Sequence, residues 1–98
     1  MNVNEILKAL ANPQRLHILQ WLKAPHEHFA AEHCRADGSV CVGIIQEKAG
    51  LSQSTISAYL ATLYRAGLVS AERVGQWTYY RRNEDTIAAF ITALNKLL

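Results

Sequence analysis

Thiol and imidazole side chains concentrate in one short stretch of the chain, HEHFAAEHCRADGSVC, which spans residues 26 to 41. The stretch holds both cysteines and three of the four histidines of the sequence, namely His26, His28, His33, Cys34 and Cys41. Nitrogen and sulfur donors of this kind bind transition metals, and paired cysteines can instead form a disulfide. The residue types therefore indicate a metal site, a thiol switch, or an exposed histidine-bearing loop with two idle thiols.

The spacing favours the thiol switch. Only six residues separate Cys34 from Cys41, so the loop between them closes easily. Cys41 lies at the start of a predicted helix, and Cys34 lies beside His33 and Arg35, two settings that favour the thiolate form. We expect Cys34 and Cys41 to be the redox-sensing residues.

A metal ion at the same cluster is the alternative to the thiol switch. A metal site needs three or four ligands and five candidates are present, although their spacing matches no strong zinc signature. The fourth histidine, His17, lies within a predicted helix, where a structural role is expected. The sequence thus indicates no required cofactor.

Length and composition place these residues in one globular domain over residues 1–98, of which half are hydrophobic. No apolar run is long enough to cross a bilayer, and no basic segment precedes an apolar one at the N-terminus. We therefore expect a cytoplasmic protein with no membrane partner. No nucleophile motif and no glycine-rich phosphate loop is present, which argues against an enzyme.

Charge is distributed unevenly along the chain, although its formal net value is only +2. Residues 48–82 carry five basic side chains against one acidic side chain, a net of +4. Residues 26–47 carry one basic against four acidic side chains, a net of −3. The basic half is a candidate surface for a polyanion.

Apolar periodicity and capping residues predict the elements that position these side chains. Helices are expected over residues 3–11, from Asn12 to about Pro25, over residues 42–49 with Ile44 and Ile45 buried, from Ser52 to Gly67, and after Asn83. Residues 24–40 are expected to form a loop, and residues 68–82 a hairpin that turns at Gly75 and Gln76. The predicted fold is mainly α with a β-hairpin, in the order α-α-α-α-β-β-α, which is that of a winged helix-turn-helix.

The helix from Ser52 to Gly67 has an apolar stripe formed by Ile56, Leu60 and Leu63. The opposite face carries hydroxyls, alanines and one arginine, and such a face can enter the major groove of DNA and contact base edges and phosphates. Arginines on the hairpin extend the basic surface, whereas Trp77, Tyr79 and Tyr80 are expected to pack mainly in the fold. The predicted contacts to double-stranded DNA are Gln53, Ser54, Thr55, Ser57, Ala58 and Arg65 on the helix, with Arg73 and Gln76 on the hairpin.

The last helix is apolar almost all round, with Ile87, Phe90, Ile91, Leu94, Leu97 and Leu98 on one side and alanines over much of the rest. Because so small a domain can bury only one side of such a helix, the other side is expected to pack against a second copy. A two-fold dimer matches a pseudo-palindromic operator.

Three stretches make the chain resemble the ArsR/SmtB family of bacterial winged-helix repressors: LKALANPQRLHILQWL, LSQSTISAYLATLYRAGLV and RVGQWTYYR. The resemblance implies a homodimer built from the first and last helices, and repression that an inducer relieves. Tyr59 stands where the recognition helix of the family commonly has histidine, and it joins the candidate DNA contacts on that ground.

The chain departs from the family at both of its usual metal sites. A cysteine pair spaced C-x-C begins the third helix of many members, but here Gly43 follows Cys41 in the second position. The last helix has neither histidine nor cysteine. The sequence therefore predicts a DNA-binding repressor derepressed by a signal near Cys34 and Cys41. Thiol oxidation is the favoured signal, and the alternatives are a metal-responsive repressor or a winged helix used for protein–protein contact.

Overall fold

The structure, a computed structural model, describes residues 1–98. The helices are α1 (Val3–Leu10), α2 (Pro13–Lys23), α3 (Pro25–His28), α4 (Val42–Ala49), α5 (Gln53–Arg65) and α6 (Glu84–Leu97). The strands are β1 (Val40–Cys41), β2 (Val69–Val74) and β3 (Trp77–Arg82). A 3₁₀ turn covers Ala31–His33.

Side-chain caps begin the helices where the sequence predicts them. The Asn12 side-chain oxygen accepts hydrogen bonds from the backbone N–H groups of Gln14 and Arg15 at 2.9 and 3.1 Å. Ser52 caps α5 and Asn83 caps α6 in the same way. These contacts satisfy N–H groups that the first turn of a helix leaves without partners, so the starts of α2, α5 and α6 are determined locally.

The predicted hairpin is present and belongs to a three-stranded antiparallel sheet in the order β1-β3-β2. Its two-residue turn is Gly75–Gln76, with Gly75 at a φ of +61°. The pairing runs from Val74 opposite Trp77 to Val69 opposite Arg82. The short strand β1 adds to β3 on the side away from β2, an extension that the sequence did not predict.

The expectation of an irregular loop over residues 24–40 is wrong. Pro25 begins the short helix α3, the 3₁₀ turn follows, and Cys34 then pairs with Val40 in an isolated antiparallel bridge. The tight turn between Cys34 and Val40 is held by Asp37, whose carboxylate accepts the Ser39 N–H at 2.9 Å and the Ser39 hydroxyl at 2.6 Å. These bonds hold the pKa of Asp37 below its usual value, because they favour the ionised form.

The core lies between the helices and the base of the hairpin. Ile56, Leu60 and Leu63 of α5 are fully buried, as predicted, together with Ile18 of α2 and Ile45 of α4. Ile44 was also expected to be buried but is only half-buried. No helix of the structure is both long enough and apolar enough to span a bilayer.

Candidate nucleic-acid interface

Helices α4 and α5 form a helix-turn-helix in which burial fixes the rotation of α5. Gly50 ends α4 in the left-handed conformation with a φ of +67°, and three residues later α5 begins. Since one face of α5 is anchored in the core, the opposite face is presented outward. The exposed residues of α5 are Gln53, Ser54, Ser57, Ala58, Tyr64 and Arg65, so the outward face is small, polar and uncharged except at its last turn.

Hydroxyl groups at the start of α5 differ in how far the fold itself uses them. The Ser52 hydroxyl accepts the Thr55 N–H at 3.2 Å and donates to the Thr55 hydroxyl at 2.8 Å. Thr55 is half-buried, so this candidate contact also holds the helix start. Ser54 and Ser57 are both exposed. The Ser54 hydroxyl shares a hydrogen bond with the Ser52 hydroxyl at 3.3 Å, whereas the Ser57 hydroxyl is available to an approaching ligand.

Tyr59 does not lie on the open face with the other candidates. Its ring is half-buried against the core, and the Arg15 guanidinium carbon lies 5.5 Å from the ring centroid. Arg15 also donates from Nε to the Ala9 carbonyl at 2.7 Å and from Nη2 to the Lys8 carbonyl at 3.1 Å. Arg15 therefore connects the end of α1 to α5.

The linking role of Arg15 was missed from the sequence. A basic side chain three residues after the Asn12 cap lies where the positive end of the helix dipole disfavours it. That unfavourable placement is the one sequence signal that could have drawn attention to Arg15.

The hairpin places two candidate side chains at its tip. Gln76 lies in the turn and is exposed, and Arg73 is exposed while its Nε donates to the Gly75 carbonyl at 3.1 Å. The prediction for Trp77 is wrong, because 52% of this residue is exposed. Trp77 pairs with Val74 beside the turn, at the opposite end of the hairpin from the buried core residue Val69.

The other two hairpin aromatics are half-buried, as their expected packing role requires. Tyr80 packs against the core, where burial raises the pKa of its hydroxyl and nearby Tyr64 adds to the rise. The Tyr79 ring lies beneath Arg35, whose guanidinium carbon is 4.5 Å from the ring centroid.

Ion pairs engage two of the acidic residues near the hairpin, Glu72 and Glu84. Arg35 bonds Glu72 at 3.2 Å, and Arg82 bonds both carboxylate oxygens of Glu84 at 2.9 Å. The remaining arginines of α5 and the hairpin, which form no ion pair, are Arg65, Arg73 and Arg81. Of these, Arg81 lies near Asp37 and helps to lower the pKa of its carboxyl. This surface therefore combines an uncharged helix face with unpaired positive charge, which suits the bases and phosphates of a duplex.

The five candidate metal ligands are not brought together. No group of three or more histidine, cysteine, aspartate or glutamate side chains is close enough to hold a metal ion. His26, His28 and His33 are exposed. His17 is also exposed and stacks on Trp21, with the ring centroids 6.3 Å apart.

The two cysteines are free thiols and both are half-buried. Residues paired across a β-ribbon share a face, and successive residues alternate between faces. Cys34 therefore shares the face of its partner Val40 and packs against the core, whereas Cys41 lies on the other face opposite Tyr79. The structure thus places the thiols near one another along the ribbon but on opposite faces.

A helix-turn-helix with an uncharged exposed second helix, followed by a basic hairpin, defines the winged helix-turn-helix class of DNA-binding proteins. The family model described as "Bacterial regulatory protein, arsR family" matches residues 36–71. The uncharacterized HTH-type transcriptional regulator YbzH of Bacillus subtilis is 52% identical over 86 residues, which cover 85% of each chain. The chain belongs to the arsR family, so it is a DNA-binding transcriptional regulator and not an enzyme.

A second sequence relative and a solved structure support the same family. The transcriptional repressor SdpR of Bacillus subtilis is 31% identical over 98 residues, covering 96% of this chain and 94% of SdpR. The homodimeric winged helix-turn-helix DNA-binding domain of Mb0332 from Mycobacterium bovis, solved by NMR, is 34% identical with a TM-score of 0.69. That likeness covers 97% of this chain and 77% of the Mb0332 domain.

Proposed function

We propose that this chain is a homodimeric repressor that binds a pseudo-palindromic operator through α5 and the hairpin. The observation that carries the proposal is the open, uncharged face of α5 beside the unpaired arginines of its last turn and of the hairpin. Gln53, Ser54, Ser57 and Ala58 would contact base edges. Arg65, Arg73 and Gln76 would contact the backbone and so fix the register on the duplex.

A second copy is proposed to cover the apolar surface formed by α1, α2 and α6. Leu7, Leu16 and Ile91 are exposed there, beside an apolar groove of about 260 Å³. A two-fold contact across this surface buries the same residues from both copies and presents two α5 helices to successive half-sites. The homodimer formed by Mb0332 supports this arrangement.

The test of DNA binding uses fluorescence anisotropy with duplexes from the region upstream of the gene for this chain. Ser57→Glu should abolish specific binding, because it places a carboxylate against the bases. Ala31→Glu adds the same charge at an exposed position of the 3₁₀ turn, outside α5 and the hairpin, and should bind normally. Loss of binding in both variants, or in neither, would contradict the assignment of α5.

Arg73→Ala separates backbone contacts from base contacts. Loss of one phosphate contact should weaken binding to all sequences and reduce the salt slope by about 0.9. A reporter behind the operator then tests the sign of regulation. Expression should rise when the chain is deleted, and a fall would identify an activator instead.

We further propose that the signal acts at Cys34 and Cys41. The position of Cys41 supports this proposal. Cys41 is the residue directly before α4, so a change at its thiol would act on the first helix of the helix-turn-helix. Mild oxidation should lower operator affinity, and a dithiol should restore it. Cys34→Ser and Cys41→Ser should each stay bound under oxidant, whereas a response equal to that of the native chain in both variants would exclude the thiols.

A metal-responsive repressor is the competing proposal for the same stretch, with His26, His28, His33, Cys34 and Cys41 as candidate ligands. Binding would require these side chains to move together, since no three of them now converge. Release of DNA by a metal ion, blocked by His33→Ala, would favour this proposal over thiol oxidation.

A further inference from the structure

Three helices meet at the side chain of Arg15, which is half-buried in the first turn of α2. Its Nε donates to the Ala9 carbonyl at 2.7 Å, and its Nη2 donates to the Lys8 carbonyl at 3.1 Å. Its guanidinium carbon lies 5.5 Å from the ring centroid of Tyr59. One side chain of α2 therefore contacts both the end of α1 and the middle of α5.

The two bonds to α1 complete the end of that helix. Because α1 ends at Leu10, the carbonyls of its last turn lack the partners that a longer helix would supply. The guanidinium donates to two of these carbonyls, and its positive charge is favourable at the C-terminal end of a helix dipole. The position of the guanidinium therefore follows the position of α1.

The contact with α5 lies beside the residues proposed to meet the bases. Tyr59 packs against the core, whereas Ala58 directly before it is exposed on the open face. A guanidinium this close to an aromatic ring is attracted by the ring face, and the attraction is stronger where water is partly excluded. A displacement of Arg15 would thus act on α5 at the level of its DNA-facing residues.

Helix α1 is held on two sides in the proposed dimer. Ile6 and Ala9 are buried in the core, whereas Leu7 is exposed on the surface that a second copy is proposed to cover. The end of α1 therefore has a defined place relative to the two-fold axis. Arg15 is bonded to this end.

We propose that Arg15 is a positioning residue that transmits the place of α1 in the dimer to α5 through the ring of Tyr59. This inference rests on the proposed DNA-binding homodimer and adds a contact that sets the separation of its two α5 helices. Helix α5 has 13 residues and is about 20 Å long, so a tilt of about 10° moves one end by about 3 Å, roughly the rise of one base pair. Loss of the contact should therefore blur the match between the dimer and the spacing of its half-sites.

The test varies the half-site spacing of the operator duplex. One base pair added or removed between the half-sites shifts one of them by about 3.4 Å and rotates it by about 35°. The native dimer should bind both altered duplexes at least about tenfold more weakly than the original. Arg15→Gln should bind the original duplex about tenfold more weakly than the native chain and discriminate less among the three duplexes.

Substitutions of Tyr59 separate the ring from the hydroxyl. Tyr59→Leu removes the ring and should also reduce the spacing preference, whereas Tyr59→Phe retains the ring and should behave like the native chain. The two residues are proposed to act through one contact, so the double variant Arg15→Gln/Tyr59→Leu should bind no more weakly than the weaker single variant. Lys8→Gln is the matched control, because it removes an exposed charge from the same end of α1 and keeps the carbonyl that Arg15 bonds.

Two further measurements distinguish positioning from other roles of Arg15. Circular dichroism and sedimentation velocity establish that each variant is folded and dimeric, so a change in spacing preference is not a loss of stability. The salt slope of Arg15→Gln should equal the native slope, because no phosphate contact is lost. If Arg15→Gln fails to fold, the comparison of Tyr59→Leu with Tyr59→Phe tests the inference by itself.

The outcomes separate this inference from the function on which it rests. Folded, dimeric Arg15→Gln and Tyr59→Leu variants that keep the native spacing preference overturn the inference and leave the DNA-binding proposal intact. A salt slope reduced by about 0.9 in Arg15→Gln identifies a direct phosphate contact, and equal losses in Tyr59→Phe and Tyr59→Leu identify a role of the hydroxyl; each overturns the inference. No binding of the native chain to any duplex overturns the proposed function, and the inference with it.

Discussion

Replacing Ile91 by glutamate should dissociate the proposed dimer while leaving each chain folded. Ile91 is 53% exposed on α6, whereas Phe90 beside it is buried and anchors the helix to the core. A charge at position 91 therefore lies on the surface of an isolated chain but within the contact of a two-fold dimer. The substitution tests the interface without disturbing the core.

The size of the effect follows from the exposed half of the side chain. Complete burial of an isoleucine contributes about 1.5–3 kcal/mol, so the half that remains exposed contributes about 1 kcal/mol per copy. Two-fold symmetry repeats the residue, and Ile91→Ala should cost about 2 kcal/mol and raise the dissociation constant roughly 30-fold. Ile91→Glu also buries two carboxylates without partners, and should raise the constant by at least about a thousandfold.

Sedimentation velocity at micromolar concentration measures the change, and circular dichroism confirms that the variant is folded. Ala89→Glu is the matched control. Ala89 is exposed and lies two positions before Ile91, a rotation of about 200° around the axis of α6, so it is on nearly the opposite side of the helix. The control should remain dimeric. A native chain that is monomeric, an Ile91→Glu variant that sediments as a dimer, or a control that dissociates equally would each refute the reasoning.

Three further predictions concern stability. The pKa of Asp37 is lowered by hydrogen bonds from the Ser39 hydroxyl and N–H, so its ionised form stabilises the fold at neutral pH. Asp37→Asn should lower the Tm at pH 7, and the difference from the native chain should vanish as the pH falls through the lowered pKa of Asp37. Gly67→Ala should cost about 1–2 kcal/mol in urea unfolding, because the φ of +80° disfavours a side chain and the new Cβ would lie 3.4 Å from Thr86. Gly43→Ala should instead stabilise by up to about 1 kcal/mol, since Gly43 is helical and its new Cβ would meet no atom within 4 Å; equal effects at the two glycines would contradict the backbone argument.

The features of the fold that the sequence predicted correctly are those determined by neighbouring residues. The caps at Asn12, Ser52 and Asn83 and the Gly75–Gln76 turn are each determined within a few residues, and all four are present. The outward face of α5 was also predicted, because a regular apolar period fixes the rotation of a helix once its stripe is buried.

Interactions between distant parts of the chain explain what the sequence did not predict. Strand β1 has two residues and exists because β3 supplies its partner some 40 residues later, which no local period can indicate. The exposure of Trp77 depends on how far the hairpin extends beyond the core. The ring of Tyr59 is covered by Arg15, a residue 44 positions earlier in the chain. Each of these features depends on the assembled fold.

The cysteine pair shows how strand pairing bears on the proposed thiol switch. The sequence predicted that the loop between Cys34 and Cys41 closes easily, but the segment is a paired ribbon with the thiols on opposite faces. A disulfide requires Cβ atoms about 4 Å apart, so a bond within one chain requires Cys34 to separate from Val40. Val40 is fully buried, and β1 continues directly into α4. Under the proposed thiol switch, a disulfide within one chain would therefore disturb the ribbon directly before α4, and this would couple oxidation to the helix-turn-helix.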